Sequence, residues 1–395
     1  MNIQPLSGIR VIDLTRVLSG PFCTMLLGDM GADVIKVETG QGDTVRTAGA
    51  QRDGLSWYFA SFNRNKRSIV LDLRKPDGKA VLARLLATAD VLVENFRPGV
   101  LAEIGFDQAR LDTLNPRPVV ASINGYGSTG PYVDRPAFDF IAQAMSGFMA
   151  TTGEPGGAPM RTALPITDLV AGLYCAFGIV NALRARDLTK CGQRVEAAMV
   201  NGTVSMLAYL ASEYLATGLE PERTGNDHPI IAPYSLYSAK DGDIAVAPAT
   251  KETLERFMAA LGLLEMLTQP EYDTLQKRHA RRDDFRPPIN ARLATDTQDN
   301  WIERLNAAGV PCGKVLKVSE VLADPQIAAQ DMVIEVDHPG HGSVRMVGFP
   351  VKLSGTPARV RHPAPGLGQH TAEILAEAGY DEAEIGRLTV SKAIG

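Results

Sequence analysis

Histidine is scarce in this chain: six of its 395 residues are histidine, and none precedes His228. Imidazole is the most common general base of enzymes, so the first 227 residues must carry out any chemistry without it. This absence argues against a Ser-His-Asp triad, and no H-E-x-x-H or similar zinc spacing occurs. His338 and His341, in HPGHG, are typical of solvated turn residues. We therefore expect no metal site.

Cysteines, long apolar runs and net positive charge are also lacking. The four cysteines are far apart and form no C-x-x-C pair, which predicts reduced packing residues rather than disulfides. The opening MNIQPLSGIRVIDL lacks the features of an export signal, and no uncharged run reaches roughly 18 apolar residues. We expect a cytoplasmic protein without a membrane span. The net charge of −5 argues against nucleic acid. The first hundred residues, with 13 basic and 10 acidic side chains, fit a small anionic ligand.

Strand-like and helix-like segments alternate over the first 124 residues. The strand-like segments are IRVIDL, ADVIKVE, RSIVLDL, DVLVENF and PVVASI, and helical patterns such as PFCTMLLGDMG and DGKAVLARLLATA lie between them. Such alternation predicts an α/β fold with a Rossmann-like, doubly wound parallel sheet. From Thr167 the pattern becomes helical. Leu169, Leu173, Phe177, Val180 and Leu183 recur at helical spacing, and Thr167 or Asp168 is the expected cap.

The rest of the chain predicts a smaller domain and a returning tail. The helical MLAYLASEYLATG is followed by a polar, turn-rich boundary, EPERTGNDHPIIAP. YSLYSAKDGDIAVA then predicts a hairpin with a DG turn, and TLERFMAALG and QDNWIERLNAAG predict helices. The last 70 residues contain the strand-like DMVIEVDHP and SVRMVGFPVKL and the helical TAEILAEAG.

One motif suggests a dinucleotide but lacks the required context. GYGSTG, residues 125–130, matches the G-x-G-x-x-G fingerprint, in which a helix begins at the third glycine and an acid follows about 20 residues later. Here Pro131 and Pro136 follow, and the acid is missing. The TRVLSGP turn, although Glu38 ends the next strand, has one glycine instead of three. Hydride transfer is therefore rejected, and GYGSTG is either a plain turn or a loop that borders another ligand.

Asp168, in RTALPITDLVAGLYCAFG, is the best candidate nucleophile. A carboxylate is ionised at neutral pH and needs no general base. Asp168 stands at a helix start, where free N–H groups favour the ionised form, and it is the only acid between Glu154 and Asp187. The simpler alternative is that Asp168 only caps the helix.

Basic residues cluster around NRNKRSIVLDLRK. Ligands of open α/β sheets bind at the carboxyl ends of the strands, so Arg74 and Lys75 are better phosphate partners than Arg64, Lys66 and Arg67. Arg97, in ENFRPG, occupies the corresponding place after the next strand. Each of these residues, taken singly, is also compatible with a solvated surface.

With these residues in view, the chain resembles the family III CoA-transferases of the CaiB/BaiF type, which include formyl-CoA transferase and carnitine CoA-transferase. The resemblance covers essentially the whole length and is carried by LSGIRVIDLTRVLSGPFCTMLLGDMGADVIKVE, NRNKRSIVLDL, DVLVENFRPGVL, SINGYGSTGP, QAMSG, TDLVAGLYCAFG, GNDHPIIAPY and LGQHT. It implies an interlocked homodimer. It also implies a large Rossmann-like domain formed by residues 1–215 and 330–395, with a small α+β domain at 225–325 inserted between them.

The resemblance also implies the chemistry. The family's aspartate nucleophile falls on Asp168, which would attack an acyl-CoA thioester to give a mixed anhydride and then an aspartyl-CoA thioester. An incoming carboxylic acid reverses the steps. Coenzyme A would then be part of the substrate, and no cofactor would be permanently bound.

The implied CoA contacts lie in strand-end segments. The matching positions are Val17, Leu18, Ser19, Thr39, Leu71, Asp72, Leu73, Arg74, Asn95, Phe96, Arg97, Arg135, Ala137, Phe138 and Asp139. Several residues depart from the family pattern: Leu18 replaces a glutamine, Thr39 and Glu103 replace arginines, and Arg74 and Pro136 replace lysines. Arg135 is expected to supply the charge lost at Pro136.

Other departures leave the substrate and two alternative functions open. The segment DIAVAPATKETLERF lacks the glycine run of the formyl-CoA transferase flap, so the acceptor acid is not fixed. Short dicarboxylates such as succinate and glutarate are favoured, with Arg161 or Lys251 as candidate partners of the distal carboxylate. The related 2-methylacyl-CoA racemases use the histidine of a G-H-D motif, and Phe138 at that position cannot carry a proton. The other alternative is a non-catalytic CoA-binding protein.

Overall fold

The computed structural model describes residues 3–395, which divide into two compact units. The large unit consists of residues 3–148, Arg161–Tyr209 and Pro325–Gly395, and the small unit of Met149–Met160 and Leu210–Asp324. The segment Met149–Met160 belongs to the small unit, whereas the sequence predicted it as part of the large domain. The expectation about an export signal concerns the start of the chain, where residues 1 and 2 lie outside the described part.

A parallel sheet of six strands forms the centre of the large unit. In chain order the strands are β1 (Arg10–Asp13), β2 (Asp33–Glu38), β3 (Lys66–Val70), β4 (Val91–Glu94), β5 (Val119–Asn124) and β6 (Arg194–Ala198). They lie in the order β3-β2-β1-β4-β5-β6 and all pair in parallel. This is the doubly wound order of dinucleotide-binding folds, so the predicted Rossmann-like sheet is confirmed. The strand order reverses between β1 and β4, where Val11 pairs with Val91 and Asp13 with Val93.

Helices cover both faces of this sheet. In this part of the chain the helices are α1 (Ser19–Asp29), α2 (Trp57–Asn63), α3 (Pro76–Leu86), α4 (Val100–Glu103), α5 (Gln108–Leu114), α6 (Asp139–Met145), α7 (Ile166–Thr189) and α8 (Met199–Ser205), and α9 (Ala208–Thr217) begins where the chain passes into the small unit. One core cluster joins the strands to α1 and α7. A second cluster, on alternate strand residues, joins the sheet to α3, α5 and the C-terminal helices. Because residues of a strand alternate between its faces, the two clusters are separate.

The buried face of α7 differs from the apolar stripe that predicted this helix. Leu173, Phe177 and Val180 are 54%, 68% and 45% exposed, whereas small residues such as Gly172 and Cys175 face α1. The reason is close packing: a Cβ atom on Gly172 would lie 2.5 Å from the Ser19 carbonyl oxygen at the start of α1. The helix interface therefore selects small side chains, and the large ones lie on the outer side.

The small unit is an α+β arrangement. Strands β7 (Ser235–Ala239), β8 (Gly242–Val246) and β9 (Cys312–Lys314) form an antiparallel sheet in the order β9-β8-β7. Its helices are α10 (Lys251–Ala260), α11 (Leu275–Ala280), α12 (Arg282–Leu293), α13 (Gln298–Ala307) and α14 (Val318–Val321), and 3-10 turns occur at Met149–Thr151 and Leu264–Thr268. The predicted hairpin is confirmed, but its turn is not the expected Asp241-Gly242 pair. Gly242 is already in β8 and pairs with Ala239, so the two turn residues are Lys240 and Asp241.

The C-terminal segment completes the large unit. It contains α15 (Pro325–Ala329), the hairpin of β10 (Val333–His338) and β11 (Gly342–Val347), and the helices α16 (Thr371–Glu377) and α17 (Glu382–Val390). The chain end lies beside β3, where Leu71 and Ile394 form an antiparallel bridge and Asp72 N–H donates to the Ala393 carbonyl at 2.9 Å. A second small pairing, Gln51–Arg52 with Leu55–Ser56, and a 3-10 turn, Thr44–Thr47, lie between β2 and α2.

Only α7, among the helices of residues 3–395, is long and apolar enough to span a membrane by length and composition. Half of its apolar window is buried within the protein, against α1 and the sheet. This is the usual environment of a core helix in an α/β fold. The expected cytoplasmic location stays a prediction.

Candidate active site

A crevice opens at the carboxyl ends of β1 and β4, where the strand order of the sheet reverses. Open α/β sheets bind ligands at this position, because the loops after the two strands diverge to opposite faces. The cavity measures about 370 Å³, and all of its lining residues belong to the large unit. Ten of the residues predicted as site residues line it: Val17, Leu18, Ser19, Asn95, Phe96, Arg97, Arg135, Ala137, Phe138 and Asp168.

Asn95 connects the two loops that form the floor of this crevice. Its side-chain oxygen accepts the Arg16 N–H at 2.9 Å, and its Nδ2 donates to the Arg16 carbonyl oxygen at 2.8 Å. The Asn95 side-chain amide, in the loop after β4, thus makes two hydrogen bonds with the backbone of the loop after β1. This pairing fixes the position of Arg16, which sequence reasoning missed, at the edge of the cavity.

Asp168 lies in the first turn of α7, yet it does not cap the helix. The N-cap residue is Pro165, which provides no side-chain hydrogen bond, so the predicted cap at Thr167 or Asp168 is wrong. Asp139, the first residue of α6, supplies the bond instead: its Oδ1 accepts the Thr167 N–H at 3.0 Å and the Thr167 hydroxyl at 2.8 Å. Because Asp139 satisfies the helix end, the Asp168 carboxylate remains available to the cavity that it lines.

Burial and negative charge raise the pKa of Asp168 to about 7. Burial is the larger cause and the nearby Asp139 carboxylate adds to it, while a hydrogen bond from the Ser19 side chain opposes the rise. The pKa of the Tyr58 phenol is raised as well, by burial and then by the charges of Asp168, Asp43 and Asp139. A raised pKa makes Asp168 a more basic carboxylate than a surface aspartate, as is common at functional sites.

Gly125 and Gly127 of GYGSTG line one wall of the cavity, and each has a steric reason to be glycine. A Cβ atom on Gly125 would lie 2.4 Å from Ala137 Cβ, so glycine lets the segment before α6 approach the end of β5. Gly127 has φ +97°, a left-handed conformation that favours glycine. No helix follows Gly130: the next one begins at Asp139. The rejection of the dinucleotide turn is therefore confirmed, and the motif is a loop that borders the crevice.

Guanidinium groups and aromatic rings form pairs along the cavity rim. Arg16 lies 5.7 Å from the Phe96 ring centroid, and Arg135 lies 3.7 Å from that of Tyr132. Arg97 also lines the cavity. Three cations around an opening are suited to phosphate groups, and stacked guanidinium groups lose little mobility on binding them.

The remaining predicted site residues do not line this cavity. Asp139 lies behind Asp168 and caps α7, as described above. Thr39 follows β2 and is exposed, while Leu71, Asp72, Leu73 and Arg74 follow β3, one strand further along the same sheet edge. Leu71 is fully buried beneath the chain end, and Arg74 pairs with Asp72 at 2.9 Å on the surface. Their predicted contacts with CoA stay predictions.

Sequence reasoning missed several cavity residues. They are Arg16, Thr44, Pro98, Ile123, Asn124, Val133, Pro136 and Met199, whereas Gly125, Tyr126 and Gly127 belong to the GYGSTG loop, for which a ligand-bordering position was one of the two expectations. Most are neighbours of predicted residues, and the strand-end rule could have found them. The rule could not have predicted Met199, because this residue follows β6 and β6 itself was not predicted. Across residues 3–395 no group of three metal-ligating side chains is found.

Comparison with known proteins identifies the class of enzyme. The sequence profile of CoA-transferase family III matches residues 6–371 of this chain. The chain is 37% identical over 390 residues to succinyl-CoA:glutarate CoA-transferase of Homo sapiens, covering 98% of this chain and 89% of that protein. It is 38% identical over 383 residues to acetyl-CoA:oxalate CoA-transferase of Acetobacter aceti, covering 96% and 97%. A crystal structure of a CaiB/BaiF family protein from Brucella suis has a TM-score of 0.84 at 36% identity, covering 95% and 99%.

These matches extend over nearly the whole chain, so the chain and its fold are those of an enzyme that transfers coenzyme A. The chain belongs to CoA-transferase family III, and the resemblance stated from its sequence is confirmed.

Proposed function

We propose that this CoA-transferase works through covalent intermediates on Asp168. The observation that carries the proposal is the division of work between two acids at the start of α7. Asp139 accepts the Thr167 N–H and hydroxyl, so Asp168 is not needed as a cap. Its carboxylate instead faces the cavity with a raised pKa, and a basic carboxylate is the better nucleophile once ionised.

The exchange proceeds in four balanced steps. The ionised Asp168 attacks the carbonyl carbon of an acyl-CoA, the C–S bond breaks, and CoA leaves as a thiolate from a mixed anhydride. The thiolate attacks the Asp168 carboxyl carbon, which releases the donor acid and forms an aspartyl-CoA thioester. An acceptor carboxylate then displaces the thiolate to form a second anhydride. The thiolate finally attacks the acceptor's acyl carbon, which frees Asp168 with no net change in protons.

The crevice supports binding of coenzyme A as part of the substrate, with no permanently bound cofactor. Arg16, Arg97 and Arg135 are positioned for its phosphates. Leu18 and Ser19 line the cavity at the start of α1, whose first N–H groups have no partners within the helix. These N–H groups are candidates to stabilise the oxyanion that forms in each acyl step.

A short dicarboxylate, with succinate as donor or acceptor, is the proposed acid pair. The names of the relatives support this choice, and Arg161 supplies a candidate contact in the large unit. Its guanidinium lies 6.0 Å from the Phe140 ring in α6, and the next residue, Thr162, donates its N–H to Gln143 of the same helix. Arg161 has no ion pair with any described residue, so its charge is free for a distal carboxylate. Lys251 pairs weakly with Glu255, at 3.8 Å, in the small unit.

We also propose that two chains form an interlocked homodimer. The support is the apolar surface that the large unit of one chain leaves in contact with water. Leu173, Phe177 and Val180 of α7 are exposed, as is Phe140 of α6. Exposed apolar surface of this kind usually marks a protein interface.

The covalent intermediate can be trapped directly. Incubation with succinyl-CoA followed by hydroxylamine should convert Asp168 to a hydroxamate, and borohydride should reduce its thioester to homoserine. Peptide mass spectrometry reads both products, and Asp168→Asn serves as the control. If a panel of acyl-CoAs labels no residue, or a residue other than Asp168, the mechanism is wrong.

Trapping, together with assays of deuterium exchange and of CoA binding, separates the proposal from its alternatives. A 2-methylacyl-CoA racemase would exchange the α-proton of its substrate with deuterium from the solvent and form no hydroxamate. That route lacks support here, because none of the described residues that line the cavity is a histidine. A non-catalytic CoA-binding protein would show neither reaction while still binding CoA.

A further inference from the structure

The loop from Leu14 to Leu18, between β1 and α1, is held in a strained conformation. Val17 has φ +68°, in the left-handed region that β-branched residues very rarely adopt. Such strain persists only where surrounding groups impose it, and it concentrates at ligand-binding sites. Arg16, Val17, Leu18 and the following Ser19 all line the crevice.

A fully buried ion pair lies directly behind this loop. Lys36 of β2 is 0% exposed and Asp43 3% exposed, and Lys36 Nζ lies 3.0 Å from Asp43 Oδ2. Both charges also bind the loop backbone. Lys36 Nζ donates to the Thr15 carbonyl oxygen at 2.9 Å, and each carboxylate oxygen of Asp43 lies 3.2 Å from the Val17 backbone nitrogen.

A second buried pair holds the two sides of the same loop. Lys66 Nζ lies 3.0 Å from Asp13 Oδ2 and donates to the Pro21 carbonyl oxygen at 3.0 Å. The other oxygen of Asp13 accepts the Thr15 N–H at 2.8 Å. Buried charges therefore bind the backbone of this segment at Thr15, Val17 and Pro21, and Val17 is the residue whose conformation requires it.

We propose that Lys36 and Asp43 are positioning residues for the transfer reaction: they hold Val17 in its left-handed conformation and so preform the part of the crevice that receives the CoA thioester. The inference rests on the proposed function only in taking this crevice as the CoA site. Burying an ion pair carries a large desolvation penalty, and apolar side chains of similar volume are often as stabilising, so two such pairs around one loop need a reason beyond stability. Preforming a binding loop removes the ordering that binding would otherwise require.

The test removes both charges together, with Lys36→Met and Asp43→Asn, so that no buried charge is left alone. We expect the KM for succinyl-CoA to rise at least tenfold, while the KM for the acceptor acid and the kcat change less than threefold. The matched control is the buried pair Arg64 and Asp29, 2.8 Å apart near the other end of α1, changed to Arg64→Met and Asp29→Asn. The control should lower Tm and leave the KM for succinyl-CoA unchanged.

A third substitution tests the role of the strain itself. Glycine adopts φ +68° without steric penalty, so Val17→Gly added to the Lys36→Met, Asp43→Asn enzyme should lower the KM for succinyl-CoA again by at least threefold. A purely structural role of the pair would not give this rescue. A KM within twofold of wild type in the double variant, or no rescue by glycine, overturns the inference.

Val17→Pro provides the same test if the double variant does not fold. Proline cannot adopt a positive φ and has no N–H for Asp43, while the buried charges stay in place. We expect the same tenfold rise in KM, and a KM within twofold of wild type would overturn the inference. Trapping at Asp168 distinguishes the two proposals: a wild-type enzyme that is never labelled refutes the aspartyl mechanism, whereas a labelled one with unchanged KM values in the variants refutes only the positioning role.

Discussion

Replacing the proposed nucleophile by its uncharged isostere should abolish transfer and at the same time stabilise the protein. Asp168 has a pKa of about 7 in the folded chain, against an ordinary value of 3.8. The folded state therefore retains a proton that the unfolded state releases. Stability from this group is fully present below about pH 4 and is lost as the pH rises to about 7. In Asp168→Asn the side chain is neutral at every pH.

The size of the effect follows from the pKa shift. A shift of about 3 units at 1.36 kcal/mol per unit gives an upper bound of roughly 4 kcal/mol above pH 7. Asp168 keeps some contact with solvent, so we expect roughly 2 kcal/mol in favour of Asp168→Asn at pH 8 and less than half of that at pH 5. For a protein of this size, about 2 kcal/mol corresponds to a rise in Tm of a few degrees.

The assay is urea or thermal unfolding followed by circular dichroism, without CoA, at pH 5 and pH 8. Asp187→Asn, at the exposed last turn of the same helix, is the matched control and should show no such difference. If Asp168→Asn were less stable than wild type, or if its gain in stability were the same at both pH values, ionisation of the Asp168 carboxyl would not destabilise the folded state.

Three further predictions concern Asp168, Gly125 and Arg161. The kcat/KM for acyl-CoA should rise about tenfold per pH unit below pH 7 and level off above it, because only ionised Asp168 attacks, and a flat profile from pH 5.5 to pH 8 would contradict this. Gly125→Ala should reduce activity and destabilise the protein by roughly 1–3 kcal/mol, since the new Cβ would lie 2.4 Å from that of Ala137. Adding Ala137→Gly to Gly125→Ala should restore both activity and stability, and no restoration would show that the contact with Ala137 is not the cause of the loss. Arg161→Ala should raise the KM for succinate at least tenfold and leave that for acetate unchanged, and equal effects on the two acids would exclude a role in binding the distal carboxylate.

The sheet was predictable because its strands are continuous apolar runs separated by helical periodicity. IRVIDL and ADVIKVE became β1 and β2 with small changes of boundary, and the strand-end rule then led to Asn95, Phe96 and Arg97. β6 was missed because RVEAA carries two charges, and its outer half is only partly buried at the edge of the sheet.

Tertiary packing decided what local patterns could not. In α12 the prolines Pro287 and Pro288 argue against a helix, yet Phe285, Ile289 and Leu293 lie one turn apart and are fully buried in the core of the small unit. Their burial outweighs the loss of two backbone hydrogen bonds. The cap of α7 was equally inaccessible, because Asp139 precedes Thr167 by 28 residues. The left-handed conformation of Val17 could not be predicted either, because the residue types around it do not indicate a positive φ.

The discontinuous large unit has a consequence for how the chain folds as it is made. About 115 residues of the small unit lie between Tyr209 and Pro325, and a ribosome needs about 6–23 s to add them. During that time the sheet and Asp168 are already synthesised, but Ile374, Leu375 and Ile394, which close one of the two cores of the sheet, are not. The nascent chain must therefore wait with an open apolar face beside β3. We expect the chain to depend most on chaperones in this interval and to need them until Ile394 has been synthesised.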